Sequence, residues 1–559
     1  MIDSENIESE INLITKEKIY NTNYEIEAKY GIYKKNFSST VNPIYFDKLR
    51  NHFNLTESKF SVVFSNGETR RIEENGSYQW QIKKRLKDFD IRDYNLRLSV
   101  NKETELNEYQ IPDDFEPKSI RERTRWSHKF EETCELFMTI VKDRLKTSYD
   151  ISYEIEIELY DMKKFNFFTK IIQEIYCILY DTNTIFKISE KDLLNEEIGD
   201  ILNHKEHRDA KVKMENDNFR FGPFIYKSVL VEPRNIKKED LSEEAFSTEY
   251  GPYTITYKAD GVRRMLIVHS TGIWLVLPPY EYNLVLKLSD NKLIQKIFEG
   301  QTIVLDGELT KIDNDSKYNY FVFDCLAFGK NASKSIDIQN KTLIERLNCV
   351  QKYFIDNMYQ LTNKNKSALI LKEIEKIKKM ISIEIKEYSI LSKSKFKNQI
   401  KKFSENKPVY KTDGFIFTPV NSKYNHFSQL NQSNRSLLEC PDVCKWKPPQ
   451  DITIDFIIER DENENIELYY AKEFSDKGPE LIKFTGNELY SDIKIDQTNE
   501  LTKDLRNGTV VEYTWDYENK IMKPKCIRND KQSANRKKVV MNNWNDIMDP
   551  ITFSYLCDE

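Results

Sequence analysis

Lys258-Ala-Asp-Gly-Val-Arg263 sets a primary amine two residues before Asp-Gly and five before an arginine, at the end of the apolar run Tyr253–Tyr257. Lysine is a nucleophile only when neutral, so such an amine needs burial or neighbouring cations to lower its pKa. An attack on the α-phosphate of a nucleoside triphosphate would also need cations to hold the phosphates. Four later segments can supply the remaining parts. Ile303–Leu309 is an apolar run carrying Asp306 and Glu308 with Gly307 between them, and Tyr320–Cys325 carries Phe323 and Asp324. Lys411-Thr-Asp-Gly brings Lys411 and Asp413, and Cys444-Lys-Trp-Lys-Pro448 spaces Lys445 and Lys447 two apart, on one face of an extended chain.

A second constellation lies nearer the N-terminus. Tyr24–Tyr30 alternates acid and apolar residues, so Glu25, Glu27 and Lys29 share one strand face; Tyr153–Leu159 repeats the pattern with Glu154, Glu156 and Glu158. Between them the alternating residues are basic or amide-bearing: Gln79, Gln81, Lys83 and Arg85; Arg121, Arg123 and Arg125; Lys142 and Arg144. Arg70 and Arg97 stand in similar settings. Solvated faces usually mix charges, whereas here acids collect on the outer strands and bases on those between. Closing these strands into a barrel would turn both sets inward, giving a polar tunnel with acids for a metal and arginines for phosphates.

The first set resembles the lysine-dependent nucleotidyltransferases, which comprise mRNA capping guanylyltransferases and ATP-dependent ligases. That resemblance implies that Lys258 forms a lysyl–nucleotide phosphoramidate. It further implies that Arg263 and Glu308 contact the ribose, Phe323 stacks on the base, Asp413 lies near metal and phosphates, and Lys445 and Lys447 grip the α-phosphate. Lys411, by its position before Asp413, is the candidate for a guanine contact. Arg528-Asn-Asp-Lys531 is similar to the family's last motif, on a mobile OB domain, where Arg528, Asp530 and Lys531 would orient the pyrophosphate. The Trp-Lys-Pro-Pro wording and Asp451–Phe456 after it resemble the capping branch. The acidic and basic strands resemble the triphosphate tunnel metalloenzymes, whose two E-x-E strands bind Mg²⁺ or Mn²⁺. This leaves open which of Glu154, Glu156 and Glu158 join Glu25 and Glu27 as ligands, and implies that Lys29, Arg70, Lys83, Arg85, Arg97, Arg121, Arg123 and Arg125 hold the triphosphate.

The order of the two modules resembles the large capping subunits of poxviruses and other large cytoplasmic DNA viruses. It implies removal of the γ-phosphate from the 5′ end of a nascent transcript, then transfer of GMP from GTP through Lys258. A polynucleotide ligase and a catalytically inactive RNA-end-binding subunit are the alternatives. Those viral subunits usually continue into a cap guanine-N7 methyltransferase. No glycine-rich strand–loop–helix for S-adenosylmethionine is visible before Glu559, so either a separate methyltransferase or a longer enzyme is expected.

These residues need three positioning units, making an α+β multidomain chain: an antiparallel tunnel barrel over 1–215, a nucleotidyltransferase domain of ATP-grasp-like antiparallel sheets over 216–449, and an OB-fold barrel over 450–559. Phe165–Tyr180 reads as an apolar helix, Glu196–Asn218 as a charged linker, and Leu369–Ile377 as helical in a lysine-rich region. The 559 residues exceed one domain, and a hydrophobic content of 39% excludes a disordered chain. A net charge of −6 argues against general grip on long nucleic acid. The eight cysteines are irregularly spaced; Cys440 and Cys444 make the one close pair, without a second to complete a zinc set. His269, on an apolar run, reads as a core histidine. No signal peptide opens the chain and no run of about 20 apolar residues would span a membrane, so the cytoplasm, a viral factory included, is expected ahead of the nucleus.

Overall fold

A strand that alternates glutamate with isoleucine offers one face to ions and the other to a core, and in the computed structural model eight such strands close on themselves. The structure describes Ile11 and most of the chain from Tyr24 to Cys557; outside the described residues lie 202–229 and shorter stretches, chiefly 108–114, 145–150, 242–246, 288–301, 312–317, 357–367 and 425–438. The barrel strands are β1 (Tyr24–Tyr30), β2 (Lys59–Asn66), β3 (Thr69–Glu74), β4 (Ser77–Ile91), β5 (Leu96–Glu105), β6 (Ser119–Phe130), β7 (Cys134–Asp143) and β8 (Ile151–Leu159), in the closed order β1-β8-β7-β6-β2-β3-β4-β5. Each neighbouring pair is antiparallel.

The barrel's hydrophobic core lies outside its wall. Ile26, Leu98, Met138 and Ile157 pack against helix α1 (Pro43–His52) through Phe46 and Leu49, and against α2 (Phe165–Tyr180) through Phe165, Phe168, Ile172 and Ile175. The i, i+3, i+4 spacing of those α2 residues makes a helix with one buried stripe, as its sequence predicts. The opposite strand faces point into the lumen. A bulge between Arg85 and Lys87 resets the alternation of β4, setting Arg85 opposite Asn101 and Asp88 opposite Ser99, so that both face inward. Lys142 and Arg144, expected inside, lie outside: Arg121 opposes Asp143, so the even-numbered residues of β7 face away, and Arg144 pairs with Glu122 at the surface.

Helix α3 (Ile188–Ile201) follows, taking in the first residues of the stretch expected as a linker; 202–218 lie outside the described residues. The next unit has two sheets. One contains β9 (Glu232–Asn235), β10 (Gly251–Ala259), β17 (Thr412–Pro419) and β18 (Glu439–Trp446), in the order β9-β18-β17-β10. The other runs β13 (Glu281–Lys287), β12 (Gly272–Leu277), β11 (Val262–His269), β14 (Thr302–Lys311), β15 (Tyr318–Gly329), with β16 (Ile381–Ile385) alongside β15. Pairing is antiparallel apart from the parallel pairs β9–β18 and β15–β16. Helices α4 (Leu343–Val350) and α5 (Ala368–Met380) cover the second sheet, and α6 (Phe396–Glu405) the first.

The C-terminal unit, expected as an OB barrel, is a six-stranded sheet among the described residues. It is built on β19 (Thr453–Arg460), β20 (Ile466–Ser475), β21 (Gly478–Lys483), β22 (Val510–Asp516) and β23 (Ile521–Ile527), and is packed on Trp544 of α7 (Lys537–Met548). The chain then returns: Leu556 and Cys557 of α8 (Phe553–Cys557) enter the core of the first sheet. No helix among the described residues is long and apolar enough to cross a membrane.

Because most of its apolar core lies outside the wall, the barrel depends on its outer helices. Phe168→Ala should cost about 3–5 kcal/mol, seen as an earlier first transition in thermal unfolding followed by intrinsic fluorescence.

Candidate active sites

In the lumen, β1 and β8 run side by side with Glu27 opposite Glu158 and Lys29 opposite Glu156. Carboxylate oxygens of Glu25, Glu27 and Glu158 lie within 4.8 Å of one another, the one such cluster among the described residues. Burial first, then the charges of Glu25 and Glu156, push the Glu158 carboxyl up to about 9. Such a set of hard oxygens fits Mg²⁺ or Mn²⁺. Glu154 and Glu156 are committed elsewhere: Arg121 Nη2 bonds Glu154 at 2.6 Å, while Glu156 takes Lys29 at 2.8 Å and Arg125 at 3.3 Å. Burial opposes ionisation of Glu156, but Lys29 and Arg125 outweigh it and hold the carboxyl far below its usual range.

The predicted phosphate-holding cations divide in three. Lys29 and Lys83 sit among the acids, Lys83 touching Glu25 and lying 3.1 Å from Glu103. Arg97 is held at one end by Asp88 (3.1 Å) and Asp90 (2.7 Å), and Arg85 is mostly exposed. Arg70 and Arg123 each keep a buried Nε without a hydrogen-bond partner. Burial, and then Arg125 and Arg121, bring the Arg123 guanidinium down to about 10. A buried guanidinium donor left unpaired in a positive wall is a place for an anion's oxygen.

The second site forms where the two central sheets meet. Asp260-Gly261 turns the chain from β10, in one sheet, into β11, in the other, so Lys258 and Arg263 face each other across the junction. The ladder of β10 with β17 slips between Tyr257 and Ala259, and this irregularity aims Lys258 at Asp413. Lys258 Nζ lies 2.7 Å and 2.9 Å from the two Asp413 oxygens, and Lys447 Nζ is 2.7 Å from one of them. Burial opposes ionisation of Asp413, but the two amines win and keep its carboxyl low. Gly414 makes this approach possible. At its φ of +136° a Cβ would lie 1.9 Å from the Trp446 carbonyl oxygen.

From the second sheet, Glu308 stands opposite Arg263, and a bulge between Asp306 and Gly307 leaves Phe323 outside the β14–β15 pairing. The Arg263 guanidinium lies 5.3 Å from the Phe323 ring centre and is clamped by Asp306 at 2.9 Å and 2.5 Å. Burial raises the Glu308 carboxyl despite Lys386, Lys258 and Arg263 nearby. Asp324 turns away, into a buried pair with Arg346 at 2.6 Å and 2.8 Å. Lys445 pairs in register with Ile416 and Asn235. Lys411 is exposed, with its carbonyl accepting from the Asp260 N–H at 2.9 Å.

The cation beside the Phe323 ring that no motif announced is Lys386, just past β16. It is buried, its Nζ lies 5.2 Å from the ring centre and 3.2 Å from the Tyr257 carbonyl oxygen, and burial brings it down to about 8. Arg528 and Lys531 are not gathered at Lys258: both bind Asp455 of their own unit, Arg528 at 3.1 Å. Asp530 lies outside the described residues. His269 is in the core, as expected, with Nε2 2.7 Å from Glu197. Cys444 is a buried thiol, and Cys440 lies on the same strand, β18, paired with Pro233.

Residues 231–449 match the family model "mRNA capping enzyme, catalytic domain", and residues 65–196 match "mRNA capping enzyme, beta chain". Two separate stretches of the chain thus each match a model drawn from mRNA capping enzymes. It is 24% identical over 383 residues to the probable mRNA-capping enzyme of Acanthamoeba polyphaga mimivirus, covering 60% of this chain and 29% of that protein. It is 23% identical over 343 residues to the mRNA-capping enzyme of Danio rerio, covering 56% and 46%. The chain thus spans less than half the length of either relative. The RNA triphosphatase domain of a mimivirus capping enzyme aligns at 17% identity over 32% of this chain and 98% of that one, with a TM-score of 0.27.

Lys386 gives this site a pH signature. Its folded-state value of about 8 lies below the usual 10.5, so between those limits the unfolded chain holds the extra proton and stability rises with pH; below about 8 the buried charge is a full penalty. Lys386→Met should therefore unfold at or above the wild-type temperature at pH 7. The gap should narrow as pH rises through about 8, read by thermal shift across that range.

Proposed function

We propose that the chain caps RNA: the barrel hydrolyses the γ-phosphate from a 5′-triphosphate end, and the two-sheet unit transfers GMP from GTP to the resulting diphosphate. The observation that carries this reading is the presence in one chain of two distinct phosphate-handling sites. One is a carboxylate cluster in a lumen where Arg70 and Arg123 keep buried, unpartnered Nε donors; the other is a lysine amine at a sheet junction lined by Asp413, Lys447, Arg263 and Glu308. A ligase has no use for the first. The functional units would be 1–215, 216–449 and 450–559.

In the barrel, Glu25, Glu27 and Glu158 would hold the divalent cation, which supplies charge neutralisation at the γ-phosphate. Arg70 and Arg123 would bind triphosphate oxygens, and Arg121 and Arg125 would share theirs with Glu154 and Glu156. Those two glutamates keep the surrounding guanidinium groups oriented, and Lys29 bridges Glu27 and Glu156.

In the transferase, neutral Lys258 Nζ would attack the α-phosphorus of GTP. A P–N bond forms, the surplus amine proton passes to solvent, the bond to the bridging α–β oxygen breaks, and pyrophosphate leaves with that oxygen. Asp413 holds the amine in the cleft until nucleotide arrives, and Lys447 and Lys445 take the α-phosphate charge. Phe323 would stack on guanine. Lys386, buried at the same ring, is better placed for a base contact than exposed Lys411. Arg263 and Glu308 would fix the ribose. A terminal β-phosphate oxygen of the RNA diphosphate then attacks the same phosphorus and frees Lys258. Arg528 and Lys531, with Asp530, would meet the leaving pyrophosphate after exchanging Asp455 for it. RNA ends and GTP are the substrates, and a separate guanine-N7 methyltransferase would consume the product in the same compartment, the cytoplasm.

Two variants should separate the activities. With α-³²P-labelled GTP and divalent metal, wild type should give a labelled band that survives denaturing electrophoresis, while Lys258→Ala gives none yet still releases γ-phosphate from triphosphate RNA. Glu158→Gln should do the reverse. Labelling by ATP alone would overturn the capping reading.

A further inference from the structure

Tyr424 lies just beyond β17, outside every motif, and is buried. Its hydroxyl donates to Asp306 Oδ2 at 2.7 Å. That carboxylate, itself fully buried, also receives both donors of the Arg263 fork. A carboxylate accepts about four hydrogen bonds; three are filled here, and together they fix the plane of the guanidinium against the Phe323 ring. With Asp306 anchored on one side only, the fork would be free to swing with its partner.

The Tyr424 ring is positioned by a core shared between the two halves of the chain. It belongs to one apolar cluster with Trp274 and Val304 of the second sheet, and with Phe186, Leu194 and Ile198 from the segment that follows the barrel. Leu194 and Ile198 lie one turn apart on α3 and so present one face. The helix is tied to the same sheet by Glu197 to His269, and by the Tyr282 hydroxyl to Asn195 at 3.0 Å. On the far side, the Arg346 guanidinium sits 5.7 Å from the Tyr424 ring centre, held by Asp324 and by the Ser422 carbonyl oxygen at 2.7 Å. Burial keeps the phenol far above its usual pKa, so it remains a donor.

We propose that Tyr424 is a positioning residue for nucleotidyl transfer, holding Arg263 in place through Asp306, and that helix α3, supplied from the phosphatase side of the chain, completes its seat. This rests on the transferase reading above. It means that the transferase half takes part of its nucleotide-site support from residues before 202.

The test uses the full chain and the rate of lysyl–GMP formation against GTP concentration. Tyr424→Phe keeps the ring and removes the donor, and should raise the KM for GTP roughly 3- to 10-fold, with the saturating rate and the γ-phosphatase activity of the barrel retained. In an Arg263→Ala background the same change should have no further effect, because the group it positions is gone. Ile198→Ala should raise the KM for GTP in the same direction. An unchanged KM in Tyr424→Phe, an additive effect on top of Arg263→Ala, or a parallel fall of both activities would each overturn the positioning role. Unchanged KM in Ile198→Ala alone would overturn the contribution of α3. Absence of any adduct in wild type would overturn the transferase reading, and the positioning role with it.

Discussion

Taking a carboxylate out of water costs several kcal/mol unless a cation or a set of donors replaces the water. The barrel lumen collects Glu25, Glu27, Glu154, Glu156 and Glu158 on two adjacent strands, and the rest of its interior follows from that. Lys29 bridges Glu27 and Glu156, Arg121 answers Glu154, and Asn101 donates to both Glu25 (3.1 Å) and Glu27 (2.8 Å). Among the described residues no cation pairs with Glu158, and burial, then Glu25 and Glu156 beside it, raise its pKa. Charge is thus left unbalanced beside Glu158, where a divalent ion would complete the balance, and at Arg70 and Arg123, where an anion would.

The same constraint shapes the transferase cleft, with lysine and arginine in the opposite role. Asp413 accepts two amines and Asp306 a guanidinium fork, so the groups that would meet phosphate and ribose are already ordered by carboxylates. Ordering in advance reduces the entropy lost when nucleotide binds. Asp455 does likewise for Arg528 and Lys531, at a distance from the amine they would assist. Holding that pair on its own unit leaves two fewer cations beside Lys258, Lys386 and Lys447.

Much of this was legible because it is local. The period-two alternation of Glu25–Lys29 and Arg121–Arg125 fixes which residues share a face, whatever the partner strand. The spacing of Lys258 to Arg263 spans a single turn. What alternation cannot give is register. Lys142 and Arg144 look like further tunnel bases, and only the pairing of Arg121 with Asp143 shows that they face outward. Likewise Glu154, Glu156 and Glu158 are equivalent in sequence, and their neighbours on β1 and β6 decide that one of them joins the carboxylate cluster with Glu25 and Glu27. The β4 bulge hides Asp88 from any strict alternation. Lys386 and Tyr424 belong to no pattern at all, and nothing in Asp451–Phe456 announces what Asp455 binds. Their partners lie from 73 to 129 residues away, and only the folded topology brings them together.

The link between the two halves has its own physical logic. The barrel must keep its apolar residues outside, so it needs helices α1 and α2 as cover, and the end of α2 is rich in aromatics. Tyr176 and Tyr180 each lie 5.8 Å from Phe186, and Phe186 lies 5.0 Å from Trp274 in the second transferase sheet. Burying these rings continuously is worth more than exposing two separate apolar ends. A sheet face that would otherwise stand open to water is thereby covered by the segment leaving the barrel. The inverted barrel thus does more than hold its own charges. By exporting its hydrophobic surface it supplies the cover that the neighbouring unit lacks, and the aromatic contact from α2 to Trp274 leads into the cluster that seats Tyr424.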